Sequence, residues 1–156
     1  MGSGTPNINS MDAEFSFTLE EASNPADVQA VEDGLLVYNL QFTSDPQYKP
    51  LNIFLRDADG KVRGGLIGNT YWGWLYVSLF WLDENARRDG NGRHMLAMAE
   101  EEARQRGCHH AHLDTHDFQA PAFYEKQGYT LWGRLDDLPP GHTRYFYWKE
   151  LTPDHA

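Results

Sequence analysis

Arg87-Arg88-Asp89-Gly90-Asn91-Gly92 joins two stretches of different periodicity, and the way it is read decides the fold. Before it runs Trp74-Leu75-Tyr76-Val77-Ser78-Leu79-Phe80-Trp81-Leu82, aromatic and β-branched enough to be a strand rather than a surface loop. After it, Met95, Leu96, Ala99 and Ala103 recur at helical spacing, with Glu100, Glu101, Arg104 and Arg106 expected on the other side. Two glycines at such a junction let backbone N–H groups turn toward one point at the helix N-terminus. Unpaired donors and the helix dipole add there, so the point suits a phosphate. No Gly-Lys-Ser/Thr ending follows, which excludes a P-loop, and Met95 stands where the third glycine of a dinucleotide fingerprint would fall. The plain alternative is a tight turn that needs positive φ.

Outward from this junction the elements alternate. Phe15–Glu21 reads as a first strand, and Asn24-Pro25 as the start of one or two helices over Ala26 to about Phe42, with Val28, Val31, Leu35, Leu36 and Tyr38 at helical intervals. Ser44-Asp45-Pro46 and Lys49-Pro50 break that pattern. Leu51–Arg56 and Val62–Tyr71 read as paired strands across Asp57-Ala58-Asp59-Gly60, and a turn near Gly73 leads into Trp74–Leu82. The helix from Gly92 ends at Gly107; a short strand over His110–Thr115, a second helix over Ala120–Gln127 closed by Gly128, and strands over Tyr129–Arg134 and Thr143–Leu151 complete the chain. The sum is an α/β (α+β) sheet with helices packed on it.

The chain of 156 residues, 40% hydrophobic and 13% aromatic, is large enough to bury a core as one domain. Met1–Ser10 reads as a flexible leader or vector scar, leaving 11–156 as the domain. Cys108 is the lone cysteine and forms no internal disulfide, which fits a reducing cytoplasm. No run is apolar and long enough to cross a membrane. The net charge of −10, from 23 acidic against 13 basic residues, argues against nucleic acid and would steer a cationic ligand favourably, although solubility alone accounts for acidity of this kind.

Two motifs give the chain a resemblance to the GNAT superfamily of N-acetyltransferases, over Phe15–Leu151. Arg87-x-x-Gly90-x-Gly92 is similar to the family's pyrophosphate loop for acetyl-CoA. Ala120-Pro121-Ala122-Phe123-Tyr124-Glu125-Lys126-Gln127-Gly128-Tyr129 resembles its A-x-x-F-Y-x-x-x-G-F/Y segment. The resemblance implies a mixed, mostly antiparallel sheet of about seven strands flanked by helices. It also implies a V-shaped split between strands four and five, where Leu75–Leu82 parts from His110–Thr115. It implies an acetyltransferase with acetyl-CoA as donor and an amine as acceptor, attacking directly in a ternary complex. Carried over residue by residue, the loop that begins at Arg87 places the N–H groups of Arg88, Gly90, Gly92 and Arg93 on the diphosphate, with Arg87, Asn91 and Tyr124 also among the cofactor-binding residues, Leu82 on the pantetheine arm, and Asp117 where the family often has a cofactor-contacting Asn. Tyr124 takes the position of the general acid, a phenol that can donate to the departing thiolate without being charged at neutral pH.

The general base is read from the residues themselves. Tyr76 and Ser78 occupy the strand where some members carry a base carboxylate, and neither serves. His110, His112, Asp114 and His116 alternate along one strand face, so His116 or Asp114 is the candidate, with His112 also able to take a proton through water. The same alternation could bind a divalent metal, but acetyl transfer needs none. Trp72, Trp74, Tyr76 and Phe80 are candidates for an acceptor pocket, and the hairpin Pro139-Pro140-Gly141-His142 for acceptor entry or a homodimer contact. A non-catalytic acyl-CoA-binding or sensor domain of the same fold is the alternative.

Overall fold

The structure, a computed structural model, describes residues 15–152. The expected leader Met1–Ser10 lies outside the described residues. The chain divides into two compact units, 1–44 and 45–156.

The first unit contains helix α1 (Pro25–Asn39), a single helix where one or two were expected. Asn24 caps it, its side chain accepting from Ala26 N at 3.0 Å, and Pro25 occupies the first turn, where its missing N–H costs nothing. Phe15–Glu21 forms no strand, which corrects the expected first strand and lowers the count to six. Alternation of apolar and polar residues makes a strand only where a neighbouring strand supplies the ladder, and this segment makes none of those hydrogen bonds.

The second unit is a six-stranded mixed sheet in the order β1-β2-β3-β4-β6-β5, with two helices. Strands β1 (Lys49–Arg56) and β2 (Val62–Tyr71) pair antiparallel, joined by a turn in which Asp57 Oδ1 accepts from the N–H groups of Asp59 and Lys61. From β2 the chain enters β3 (Trp74–Leu82) through Trp72 and Gly73 at φ of 45° and 76°, the conformation of a type I′ hairpin. Helix α2 (Asn91–Gln105) then crosses back and delivers β4 (His110–His116) parallel to β3. A short helix α3 (Pro121–Lys126) and the antiparallel pair β5 (Thr130–Asp136) and β6 (Thr143–Glu150) follow, with β6 seated between β4 and β5.

The core lies between α2 and one face of the sheet. Met95, Leu96, Ala99 and Ala103 of α2 meet Leu51, Leu66, Leu75, Val77, Ala111 and Leu113 of the strands, all at most 3% exposed. Each such leucine contributes about 2 kcal/mol by leaving water. Glu100, expected on the polar side, is instead 5% exposed on this buried face. A period of 3.6 residues puts position 100 beside 96 and 103, and partners make the charge tolerable. Lys149 Nζ donates to both carboxylate oxygens at 3.0 and 2.9 Å, and Tyr129 Oη donates at 3.1 Å.

The positioning feature for function is the junction of β3 and β4. Their parallel pairing covers only Trp74–Val77 against His110–Leu113. Beyond it Ser78–Leu82 and Asp114–His116 run on without pairing to each other, so the sheet opens between the two strands expected to part. The parting begins at a β-bulge: Ile67 opposes Leu79 and Gly68 opposes Val77, leaving Ser78 as the extra residue. Gly68 is required there, since a Cβ would run into the carbonyl oxygen of Tyr76.

Candidate active site

The glycine loop builds a cluster of unpaired donors. After the short 3-10 turn Glu84–Ala86, Asp89 and Gly90 adopt φ of 62° and 73°, two successive left-handed residues. Helix α2 begins with no side-chain cap, and its first intrahelical bond is His94 N to Gly90 O at 2.9 Å. The N–H groups of Gly92 and Arg93 therefore have no acceptor within the helix, as at any α-helix start. Arg87 Nε donates to Leu82 O at 3.0 Å and Asn91 Nδ2 to Ala86 O at 3.0 Å, so these two side chains fasten the loop rather than point away from it. Arg88 and Arg93 make no ion pair among the described residues. A Cβ on Gly92 would touch Leu82 Cδ1 at 3.4 Å and Phe123 Cζ at 3.5 Å, so the loop sits against the end of β3 and the start of α3.

Tyr124 on α3 lies beneath the parting. Its ring is 6% exposed, among Phe80 of β3 (6.5 Å between centroids), Phe123 (5.2 Å), Tyr129 (5.9 Å) and Tyr147 of β6 (6.4 Å). Its hydroxyl makes no hydrogen bond to the described residues and is not among their sealed polar atoms. Burial, with the negative charge of Asp114 adding to it, pushes this phenol up to about 12. It is a protonated donor throughout the neutral range.

The face of β4 turned away from α2 carries His110, His112, Asp114 and His116, as the alternation predicts; Ala111, Leu113 and Thr115 are buried on the other. Arg144 grips Asp114, with Nε and Nη2 at 2.8 and 2.6 Å from the same oxygen. The guanidinium thereby fixes the orientation of the carboxylate. His112 stacks on Tyr76 at 4.7 Å; burial pushes its imidazole down, against the opposing charge of Asp114, so it is neutral at neutral pH. The Tyr76 phenol is raised by burial and by the same Asp114.

At the end of β4, Gln119 Oε1 accepts from His116 N at 2.9 Å and lies 3.1 Å from His116 Nδ1. A backbone N–H can only donate, so that amide atom is oxygen and Nδ1 must carry the hydrogen. Neutral His116 therefore keeps a lone pair on Nε2. Asp117, the expected cofactor contact, has both oxygens engaged: Oδ1 with His142 Nδ1 at 3.0 Å, Oδ2 with Thr143 N at 3.2 Å. Although desolvation works to raise it, the Thr143 and His142 hydrogen bonds outweigh this and lower its carboxyl.

The expected site residues thus fall into three groups. Leu82 and residues 87–93 form the loop end. Tyr124 and Phe80 form an aromatic cluster below the parting, so Phe80 faces Phe123 rather than the other acceptor candidates. Trp72, Trp74, Tyr76, Asp114 and His116 belong to the opposite sheet face or its turns. Tyr71, Trp132, Trp148 and Arg144 join that face without having been read from the sequence. The histidines do not assemble a metal cluster: His110 stacks on Trp74, and no three His, Cys, Asp or Glu converge among the described residues.

Known proteins share this sequence pattern and fold. The family model for the acetyltransferase (GNAT) family matches residues 14–129. An acetyltransferase of Agrobacterium fabrum is 41% identical over 129 residues, covering 83% of this chain and 94% of its own length. The blasticidin-S acetyltransferase of Streptomyces morookaense is 40% identical over 116 residues, covering 72% of this chain and 85% of its own. A crystal structure from Agrobacterium tumefaciens superposes with a TM-score of 0.80 at 39% identity, over 87% of this chain and 99% of that one.

Proposed function

The chain belongs to the acetyltransferase (GNAT) family, and we propose that it moves an acetyl group from acetyl-CoA to a primary amine by direct attack in a ternary complex. The observation that carries this reading is the Tyr124 hydroxyl, which has no hydrogen-bond partner among the described residues and lies where β3 and β4 part. The orphan N–H groups at the start of α2, with those of Arg88 and Gly90 and the cationic side chains of Arg88 and Arg93, hold the donor's diphosphate. Bound there, acetyl-CoA supplies an activated thioester. The open edge of β3, Ser78–Leu82, offers backbone groups to the pantetheine arm.

The chain's own groups do the rest. The anionic Asp114, oriented by Arg144, favours an approaching ammonium. His116 Nε2 accepts its proton directly or through water, which frees the lone pair that attacks. Tyr124 donates its hydroxyl hydrogen bond to the departing sulfur. Asp117 serves by clamping the loop before α3 to the start of β6, so the donor relies on other groups at that point. Cytoplasmic residence fits the reduced, buried Cys108.

The acceptor named by the Streptomyces relative, blasticidin S, heads the panel to test, followed by polyamines, simple alkylamines and protein amines. Incubation with acetyl-CoA and mass detection of the N-acetyl product gives the answer. Acetylation of at least one amine is expected. Saturable acetyl-CoA binding with no product from any amine would replace the enzyme by a non-catalytic acyl-CoA sensor.

A further inference from the structure

The sheet face opposite α2 carries an open pocket of about 510 Å³ whose wall is made of rings: Tyr71, Trp72, Trp74, His112, Trp132 and Trp148. They come from β2, the β2–β3 turn, β3, β4, β5 and β6, so the pocket spans most of the sheet. Trp132 is 64% exposed and Trp148 36%, so a large apolar area stays in water that core packing would have hidden. One wall residue, His112, stacks on Tyr76 at 4.7 Å and shares its strand face with Asp114, so the pocket borders the face that carries the proposed reaction site.

The lining decides what fits. It contains no carboxylate and no cation, only ring faces, indole N–H groups, one phenol and one imidazole. A lone ammonium head would have ring faces for company and no counter-charge. The volume lies in the range of roughly 300–1,000 Å³ that takes a ring-bearing small molecule. Among tilted indoles, a flat ring finds both stacking and edge contacts.

We propose that this pocket is an aromatic subsite for the acceptor, stacking a flat, uncharged aromatic or heteroaromatic ring while the acceptor's amine reaches the parting of β3 and β4. The proposal rests on the acetyltransferase reading for the amine and on the pocket alone for the ring. His112 and Asp114 are two residues apart on one strand, so ring and amine are separated by roughly 7 Å. Short arylamines cannot span that distance.

The test compares kcat/KM for phenylalkylamines, from benzylamine to phenylhexylamine, with straight alkylamines of matched chain length. An advantage of roughly tenfold for the aryl series is expected, carried by KM and greatest at intermediate spacers. Trp132→Leu and Trp148→Leu, both at exposed positions, are expected to shrink that aryl-over-alkyl ratio several-fold. A readout without turnover is the quenching of tryptophan fluorescence by phenylbutylamine, saturable in the native protein and weaker in Trp132→Leu. Equal kcat/KM for the two series would overturn the subsite, as would equal losses for both in the tryptophan variants. So would tetramethylammonium displacing the aryl ligand as well as a neutral aromatic does. If neither series is acetylated but the fluorescence titration saturates and weakens in Trp132→Leu, the pocket stands and the acetyltransferase reading falls.

Discussion

Tyr124 is the side chain on which the proposed chemistry turns, and its environment explains why a phenol suits the role. Burial that pushes its phenol up to about 12 keeps it protonated throughout the neutral range, where it can act as a hydrogen-bond donor. Tyr124→Phe removes one hydroxyl from a ring held by four aromatic neighbours, so folding is expected to survive. The turnover number is expected to fall roughly 100-fold or more, with little change in KM for acetyl-CoA, as initial rates would report. His116→Asn tests the proposed base: the variant is expected to turn over roughly 100-fold more slowly with KM for acetyl-CoA little changed, as initial rates would report. An unchanged turnover number would move the base elsewhere. At this scale the sequence was informative where chemistry follows local spacing. The alternation of His110, His112, Asp114 and His116 is a period of two, and Tyr124 stands in a recognisable segment. It was uninformative where a partner lies far along the chain. Asp117 meets Thr143, 26 residues on, and Arg144 grips Asp114 from 30 residues away.

Among the elements, the loop before α2 does two jobs that a single residue controls. Gly90 at φ 73° turns the chain into the helix with nothing within 4 Å of a would-be Cβ, so the constraint is conformational rather than steric. Gly90→Ala is expected to cost about 1 kcal/mol in urea unfolding and to raise KM for acetyl-CoA more than it lowers kcat. Helix α2 is also joined to the sheet's far end by the Glu100–Lys149–Tyr129 network. Glu100→Ala would leave Lys149 partly buried and unpaired, with an expected loss of about 2–3 kcal/mol measured by denaturation. Replacing Glu100 and Lys149 together by Leu and Met should recover much of it. The elements themselves were legible because period, caps and turn residues agree from β1 to β6. The exception, Phe15–Glu21, has strand-like alternation without a pairing partner, a condition set by topology and invisible in a local window.

For the whole molecule, the site is the consequence of one topological fact: a parallel pair, β3 and β4, that pairs for half its length and then parts. The parting lies where α2 begins and α3 packs, which brings the glycine loop and Tyr124 together although they are distant in sequence. The aromatic wall on the opposite face arises the same way, since Trp132 and Trp148 line one pocket with Trp74 only because β6 inserts between β4 and β5. No local motif marks those two residues. Stability should carry the imprint of the buried phenols. Tyr124 and Tyr147 are both raised to about 12, whereas in the unfolded chain they ionise near their ordinary value. Their contribution is therefore complete below about pH 10 and declines between about pH 10 and 12, as the unfolded state loses protons first. Urea midpoints are expected to be flat up to about pH 9 and to fall beyond it, and Tyr147→Phe to soften the fall.

Direct transfer is the central claim, and the structure gives it a sharp alternative. A covalent acyl-enzyme would need a nucleophile in the cleft, but Cys108 lies in the core, 4% exposed, with its thiol raised by burial and thus poor as a thiolate. The deciding measurement is the initial rate of thiol release as acetyl-CoA and an accepted amine are varied against each other. Intersecting double-reciprocal lines, with no thiol burst in the absence of amine, are predicted. Parallel lines with an amine-independent burst would mean an acylated intermediate and contradict the account.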